Sequence, residues 1–276
     1  MKHTLAVTLM LAGLFFLAQL IGLGIVNGYL EKEDYEVEGV IYSNVTWQEL
    51  PYGVERPAFD EKTSFLPLFA IILVATLLIF VIMKLRFFRV WKFWFFLSVW
   101  FCLTIAANVV FSDFAAVAVA GGLALLKVLW RNVVVHNVTE LFIYGGLAAV
   151  FVPFLNLWSI SILLVLISVY DAIAVWKTKH MVSMAQFQTK IKLFAGMLIP
   201  YGKKEALLGG GDIGFPLFFS GVVLKTLGLA QSIVVSGVTT VMLLLLLVKS
   251  QKNMYYPAMP YLSVGCFLGF LFASLI

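Results

Sequence analysis

The sequence predicts an all-α protein that crosses a membrane several times. Three observations predict this class: 62% of the 276 residues are hydrophobic, only 12% are charged, and the apolar residues gather in long runs. An ordinary soluble domain carries about 25% charged residues, so a soluble enzyme, a disordered chain and a nucleic-acid-binding protein are excluded. A membrane-spanning β-strand has only about 10 residues with strict alternation, and the runs here are about twice that length, which suits helices.

Nine runs are long enough to cross the hydrocarbon core of a bilayer, which takes about 20 helical residues. The first run is longer than the apolar core of a signal peptide, which has about 7–15 residues, so we count it as a span. The predicted spans cover residues 5–26, 65–83, 93–111, 114–130, 133–152, 155–176, 206–228, 231–248 and 255–276.

The distribution of charge predicts the orientation. With the N-terminus in the cytoplasm, 15 of the 19 lysines and arginines lie on the inner side, and Lys127 is counted among these inner cations. The outer loop 27–64 holds nine acids and three bases, a net charge of −6. An excess of Lys and Arg marks cytoplasmic loops, so nine spans place the C-terminus outside.

The long inner loop, residues 177–205, is basic and contains an apolar stretch at 191–201. One interpretation is a flexible linker with a short surface helix. The other is a strand edge that pairs with an extended peptide. The residues alone favour the linker.

Three acids fall inside predicted spans: Glu140, Asp171 and Asp212. A carboxylate at the centre of a membrane helix costs about 2.5–3.5 kcal/mol, and such residues usually have a function. Glu140 lies close to His136 and Asn137, which favours a structural hydrogen bond. We therefore expect Glu140→Gln to keep at least partial activity.

Asp171 and Asp212 lie at matched depth in consecutive antiparallel spans. Each is five or six residues from the inner end of its span, or roughly 8–9 Å at 1.5 Å per residue. Two close carboxyls share one proton, so one can deprotonate a water while the other polarises a carbonyl. Gly209, Gly210 and Gly211 precede Asp212 and are expected to loosen the start of span seven, because glycine disfavours the helix interior.

A third element, Tyr255-Tyr256-Pro257-Ala258-Met259-Pro260, opens span nine and cannot form a regular helix. Together, Tyr170-Asp171, Gly209-Gly210-Gly211-Asp212 as a GxGD motif and Pro257-Ala258-Met259 resemble the presenilin and signal peptide peptidase family of intramembrane aspartyl proteases. The resemblance covers residues 140–276 and is nearest to the compact archaeal presenilin-like members. The inner loop lacks the long insert at which family presenilins are cut during maturation, so we expect the chain to act uncut.

The resemblance implies that Asp171 and Asp212 are the catalytic pair, acting without metal or cofactor. It implies that Tyr170, with Gly209, Gly210 and Gly211, shapes the site, and that Pro257, Ala258 and Met259 bind substrate. Met259 stands where the family usually has Leu, a change that keeps volume and is expected to alter selectivity at most. The family also suggests that substrate pairs with a strand near span seven, which favours 191–201 as a pairing edge.

The predicted function is therefore an endopeptidase that cuts transmembrane segments of membrane proteins within the lipid bilayer. A proton- or cation-coupled transporter or channel is the alternative, since it also places acids in broken helices. A scaffold using Gly265-x-x-x-Gly269 is a third, but it explains neither aspartate. We expect residues 1–154 to form a helical scaffold and residues 155–276 the catalytic part. Homo-oligomerisation is left open.

Overall fold

The computed structural model describes residues 4–37, 40–85, 87–130, 132–178, 181, 184, 187–188, 193–202, 204–251 and 254–276. Within these ranges the chain forms nine α-helices and two antiparallel hairpins. The helices are α1 (Leu5–Gly28), α2 (Phe65–Leu85), α3 (Phe88–Asn108), α4 (Asp113–Leu129), α5 (Val133–Phe151), α6 (Leu157–Ala172), α7 (Gly210–Thr226), α8 (Leu229–Lys249) and α9 (Met259–Ala273). The hairpins pair β1 (Leu30–Val37) with β2 (Val40–Trp47), and β3 (Gly196–Tyr201) with β4 (Lys204–Gly209).

Each predicted span overlaps one of these helices. Six helical segments of the described chain are long and apolar enough to cross a membrane: Leu5–Gly28, Phe65–Leu85, Phe88–Asn108, Val133–Phe154, Leu157–Lys177 and Leu229–Lys249. Helices α4, α7 and α9 are shorter, with 17, 17 and 15 residues. A protein that crosses the membrane several times is confirmed, whereas the count of nine spans and the cytoplasmic N-terminus stay predictions.

The two hairpins correct the all-α prediction. The first lies in the predicted outer loop and the second in the predicted inner loop. Span seven was predicted to begin at residue 206, but residues 204–209 form β4 and the helix begins at Gly210. β3 supplies the partner strand across a turn in which Gly202 adopts a φ of 57°. Ala206 and Leu208 are buried in the main core from this strand.

Close packing around α5 fixes its position in the bundle. A Cβ at Gly145 would lie 3.0 Å from the Cα of Gly22 in α1, and a Cβ at Gly146 would collide with the Cys102 carbonyl of α3. Phe15 of α1 is fully buried in the same core. Because protein interiors pack at crystal-like density, these contacts leave α5 little freedom to move.

The Gly265-x-x-x-Gly269 face is used within the chain. Cβ atoms at Gly265 and Gly269 would lie 2.8 Å from the Cα atoms of Thr239 and Val235 in α8. Helix α9 is thus held directly against α8. This face is accounted for by packing inside the bundle and points to no scaffold function.

Candidate active site

The carboxylate of Asp171 lies at the C-terminal end of α6 and is only 4% exposed. Asp171 is the next-to-last residue of the α-helix, and a π-helical turn, Ile173–Lys177, follows. Such turns are rare and occur often at functional sites. The backbone N–H of Met259 donates to Asp171 Oδ2 over 3.1 Å, which places the carboxylate at the N-terminus of α9.

Asp212 lies in the first turn of α7, where it is the third helical residue. Its side chain is partly buried and lies close to Gly209, the residue that caps the helix, because a Cβ on Gly209 would lie 3.2 Å from Asp212 Oδ2. A carboxylate in the first turn of a helix is favoured by the helix dipole. Pro216, four residues on, cannot donate the usual helical hydrogen bond to the Asp212 carbonyl.

The two aspartates lie on neighbouring helices at one end of the bundle. They come from helices α6 and α7, which contact each other, and their carboxylates are close enough for their charges to interact. Among the described residues, neither aspartate forms an ion pair with a lysine or arginine. Asp171 accepts from the Met259 N–H at the start of α9, and Asp212 lies in the first turn of α7.

The three glycines lie at the start of the seventh predicted span, as expected, although the helix itself begins only at Gly210. They do not interrupt the interior of a helix: Gly209 ends β4 and caps α7, and Gly210 and Gly211 are the first two helical residues. A Cβ at Gly209 would lie 3.2 Å from Asp212 Oδ2, and one at Gly210 would lie 3.0 Å from the hydroxyl of Tyr144. These close neighbours leave little room for a side chain at Gly209 and Gly210.

The proline segment, residues 255–260, also contacts Asp171. Residues 254–257 have no regular structure, Ala258 caps α9, and Met259 begins the helix. The hydrogen bond from Met259 to Asp171 therefore joins two of the three predicted elements. Tyr170, beside Asp171 in the chain, packs its ring edge-on against Phe69 of α2 with ring centroids 6.4 Å apart.

A cleft of about 470 Å³ opens between α3, α5 and α7. It reaches the glycine segment before Asp212, and most of its walls are apolar. The polar and glycine residues along it are Ser98, Glu140, Tyr144, Gln188, Gly209, Gly210, Gly211 and Gly214. The residues that the structure describes include no group of three His, Cys, Asp or Glu side chains able to hold a metal ion.

Comparison with known families identifies the fold. The family model described as signal-peptide peptidase, presenilin aspartyl protease matches residues 54–276, which is most of the chain. The chain belongs to this family. A search of curated proteins found no match.

Two solved structures of a presenilin family intramembrane aspartate protease, in C222 and P2 crystal forms, share the fold. Their TM-scores are 0.69 and 0.68 at 20% sequence identity. The first match covers 97% of this chain and 98% of the other, and the second covers 97% of both. This presenilin and signal peptide peptidase family member is an integral multi-pass membrane protein, and its family is one of intramembrane aspartyl proteases.

The sequence analysis missed a buried polar cluster beside the site, formed by Lys127, Glu140 and Tyr144. Lys127 was counted only as a cation of the inner side, but it is buried and its Nζ lies 2.7 Å from Glu140 Oε1. This contact was not predicted because a lysine near the end of a span usually extends to the interface, and here an acid on the next helix holds it. Glu140 also accepts a hydrogen bond from the hydroxyl of Tyr144.

Gln19 of α1 was also missed. Its Nε2 donates to the backbone carbonyl of Ile213, the residue after Asp212, over 3.0 Å. The signal was present in the sequence, because Gln19 is a polar residue inside an apolar run and such residues usually bond within the bundle.

Proposed function

We propose that this chain is an intramembrane endopeptidase in which Asp171 and Asp212 jointly activate a water to cut transmembrane segments of membrane proteins. The observation that carries the proposal is that Asp171, which is buried, and Asp212, which is partly buried, come from consecutive helices that contact each other and lie close enough for their charges to interact. Family membership supports the class of reaction, since the family consists of aspartyl proteases. The transporter alternative is not favoured by any observation here.

The reaction needs one ionised and one protonated carboxyl. The ionised carboxylate takes a proton from water as the oxygen attacks the scissile carbonyl carbon, and the other carboxyl donates its proton to the carbonyl oxygen. Collapse of the tetrahedral intermediate then breaks the C–N bond, and a proton passes to the leaving amine. Atoms and charge balance with no metal or cofactor, and the pair returns to its singly protonated state.

Substrate is proposed to bind as an extended strand, because a helix hides its carbonyls in internal hydrogen bonds. The sheet at the site has two edges, β3 and β4. The edge predicted from residues 191–201 corresponds in part to β3, with residues 191 and 192 outside the described ranges. On β3, the Asn137 side chain donates to the Leu198 carbonyl over 2.7 Å and accepts from the Leu198 N–H over 3.0 Å. This contact favours the edge of β4 for an incoming strand.

The remaining roles follow from position. Tyr170 is proposed to shape the wall beside Asp171, and Gly209, Gly210 and Gly211 to keep space open before Asp212. Pro257, Ala258 and Met259 are proposed to contact substrate opposite β4. We also propose nine spans with a cytoplasmic N-terminus, an N-terminal scaffold over 1–154 and a catalytic part over 155–276.

The proposal is tested with detergent-purified protein and a labelled single-span peptide, with and without a transition-state inhibitor of aspartyl proteases. We expect cleavage that the inhibitor blocks and that Asp171→Asn or Asp212→Asn abolishes. Asp113→Asn, at an exposed aspartate that accepts from Asn108 over 2.7 Å, is the matched control and should keep full activity. Full cleavage by either catalytic variant would remove that residue from the mechanism.

A further inference from the structure

One face of α5 carries polar side chains toward the site. His136, Glu140 and Tyr144 are spaced four residues apart, so they lie on the same side of the helix. Lys127 of α4 supplies the opposite charge, and the side chains of Lys127 and Glu140 are 1% and 2% exposed. Lys127 also donates to Thr139 over 3.0 Å. The charge pair is therefore fixed from both helices.

The Tyr144 end of this face contacts the segment that carries Asp212. A Cβ placed on Gly210 would lie 3.0 Å from the hydroxyl and 3.2 Å from Cε1 of Tyr144. Gly210 is only two residues before Asp212, and its N–H donates to the Ala195 carbonyl over 3.0 Å. Because Glu140 holds the hydroxyl, the tyrosine ring forms a fixed surface against Gly210.

The other end of the face holds β3. His136 Nε2 lies 2.8 Å from the Gly196 carbonyl, and Asn137 makes two hydrogen bonds to the backbone of Leu198. The same helix face thus contacts the strand that pairs with β4 and the glycine that follows β4. Helix α5 therefore contacts both β3 and Gly210, which lie next to the segment that leads to Asp212.

A buried ion pair contributes little net stability in comparison with apolar residues of similar size. The pair lies beside the site, which suggests that it holds neighbouring groups in position. We propose that Tyr144, held by Glu140 and Lys127, is a positioning residue that sets the place of Gly210 and therefore of the Asp212 carboxylate. This inference rests on the proposed function, since it gives the cluster a part in the same reaction.

The test compares Tyr144→Phe with Tyr29→Phe in the peptide assay. Tyr29 is a matched control because its buried hydroxyl donates to the Ile105 carbonyl over 2.8 Å at the opposite end of the bundle. We expect Tyr144→Phe to lower kcat about tenfold, the loss of about 1.4 kcal/mol, with KM unchanged. Tyr29→Phe should keep kcat. A purely structural role predicts the same kcat for both variants once the folded fraction is equal.

Two further variants separate positioning from folding. Glu140→Gln still offers an oxygen to the tyrosine hydroxyl, so it should lose less kcat than Tyr144→Phe. Gly210→Ala places a methyl group against the ring of Tyr144. The losses of kcat from Gly210→Ala and Tyr144→Phe should therefore be non-additive in the double variant, as expected for residues in contact. Independent, multiplicative losses would overturn the inference.

Hydrogen exchange gives a readout that does not depend on proteolysis. Tyr144→Phe should speed amide exchange over residues 209–213, while Tyr29→Phe should not. Failure of wild-type cleavage with this exchange pattern intact would reject the proposed function alone. Unchanged exchange and unchanged kcat in Tyr144→Phe would reject the positioning role alone.

Discussion

Glu140 and the pair formed by Asp171 and Asp212 lie at the same end of the bundle, but their negative charges have different surroundings. Glu140 has a full cationic partner, Lys127, at 2.7 Å. Asp171 and Asp212 lie close to each other without a cationic partner among the described residues, and Asp171 also accepts from the Met259 N–H at the start of α9. The two groups differ in whether a buried negative charge is neutralised by a fixed cation.

This difference separates a structural acid from the proposed catalytic pair. A carboxylate that is paired with a buried lysine has its charge compensated by a fixed cation. Two carboxylates that share a site cannot easily both be ionised, and the proton they share is the one that the proposed reaction needs. A lysine beside the aspartates would favour the ionised form of both and remove the acid. Each prediction below tests one side of this comparison.

The largest expected effect on stability follows from breaking the Lys127–Glu140 pair. Lys127→Met leaves Glu140 buried without its cation, and removal of one partner of a buried pair costs about 3–5 kcal/mol. Unfolding of the purified protein in detergent by a mild denaturant measures the loss. An unchanged free energy of unfolding would mean that Glu140 is not held as an ion and that the comparison fails.

Two controls sharpen this result. Glu61→Gln breaks an ion pair with Lys225 in which Glu61 is 49% exposed, and it leaves the hydrogen bonds of Lys225 to the Pro153 and Leu155 carbonyls. It should therefore cost about 1 kcal/mol or less. The double variant Lys127→Met/Glu140→Leu removes both charges and should recover most of the lost stability. A double variant as unstable as Lys127→Met would show that packing, rather than charge, is the cause.

The second prediction concerns the dependence of the cleavage rate on pH. Below both ionisations of the aspartate pair no base is present, and above both no acid remains, so the rate should be bell-shaped. Each limb should change by about tenfold per pH unit. Peptide cleavage over a pH series in a constant ionic medium checks this. A rate that continues to rise into alkaline pH would contradict a shared proton.

The smallest effect is on the stability of the catalytic variants. Asp171→Asn and Asp212→Asn each remove a negative charge from a pair of like charges, so the free energy of unfolding should stay the same or rise by about 1 kcal/mol or less, although cleavage is lost. The same denaturant series measures this. A loss as large as that of Lys127→Met would place the aspartates with Glu140 as structural acids.

The sequence singled out the proposed catalytic aspartates more readily than it did the Lys127–Glu140 pair. Asp171, Asp212 and Met259 were recognisable because acids and prolines stand out in apolar runs, and Met259 does lie against Asp171. Lys127 was not, because its partner is 13 residues away on the next helix and a terminal lysine normally reaches water. Local sequence shows which group is unusual but not which distant side chain neutralises it.

The hairpin of β3 and β4 could not be predicted from hydrophobic runs either. β4 contains Glu205, Ala206, Leu207 and Leu208, all good helix formers, and they continue into the apolar run of α7. Their strand conformation depends on β3 and on the turn at Gly202. Tertiary pairing overrode local propensity, and the start of α7 moved from residue 206 to Gly210 as a result.

The central claim is that Asp171 and Asp212 act on one common atom. The most direct measurement is an experimental structure with a peptide inhibitor that carries a hydroxyl in place of the scissile carbonyl. The account predicts that this hydroxyl lies within about 2.6–3.2 Å of a carboxylate oxygen of each aspartate, with the peptide extended along β4. A hydroxyl bound by only one aspartate, or carboxylates too far apart to reach it together, would contradict the account.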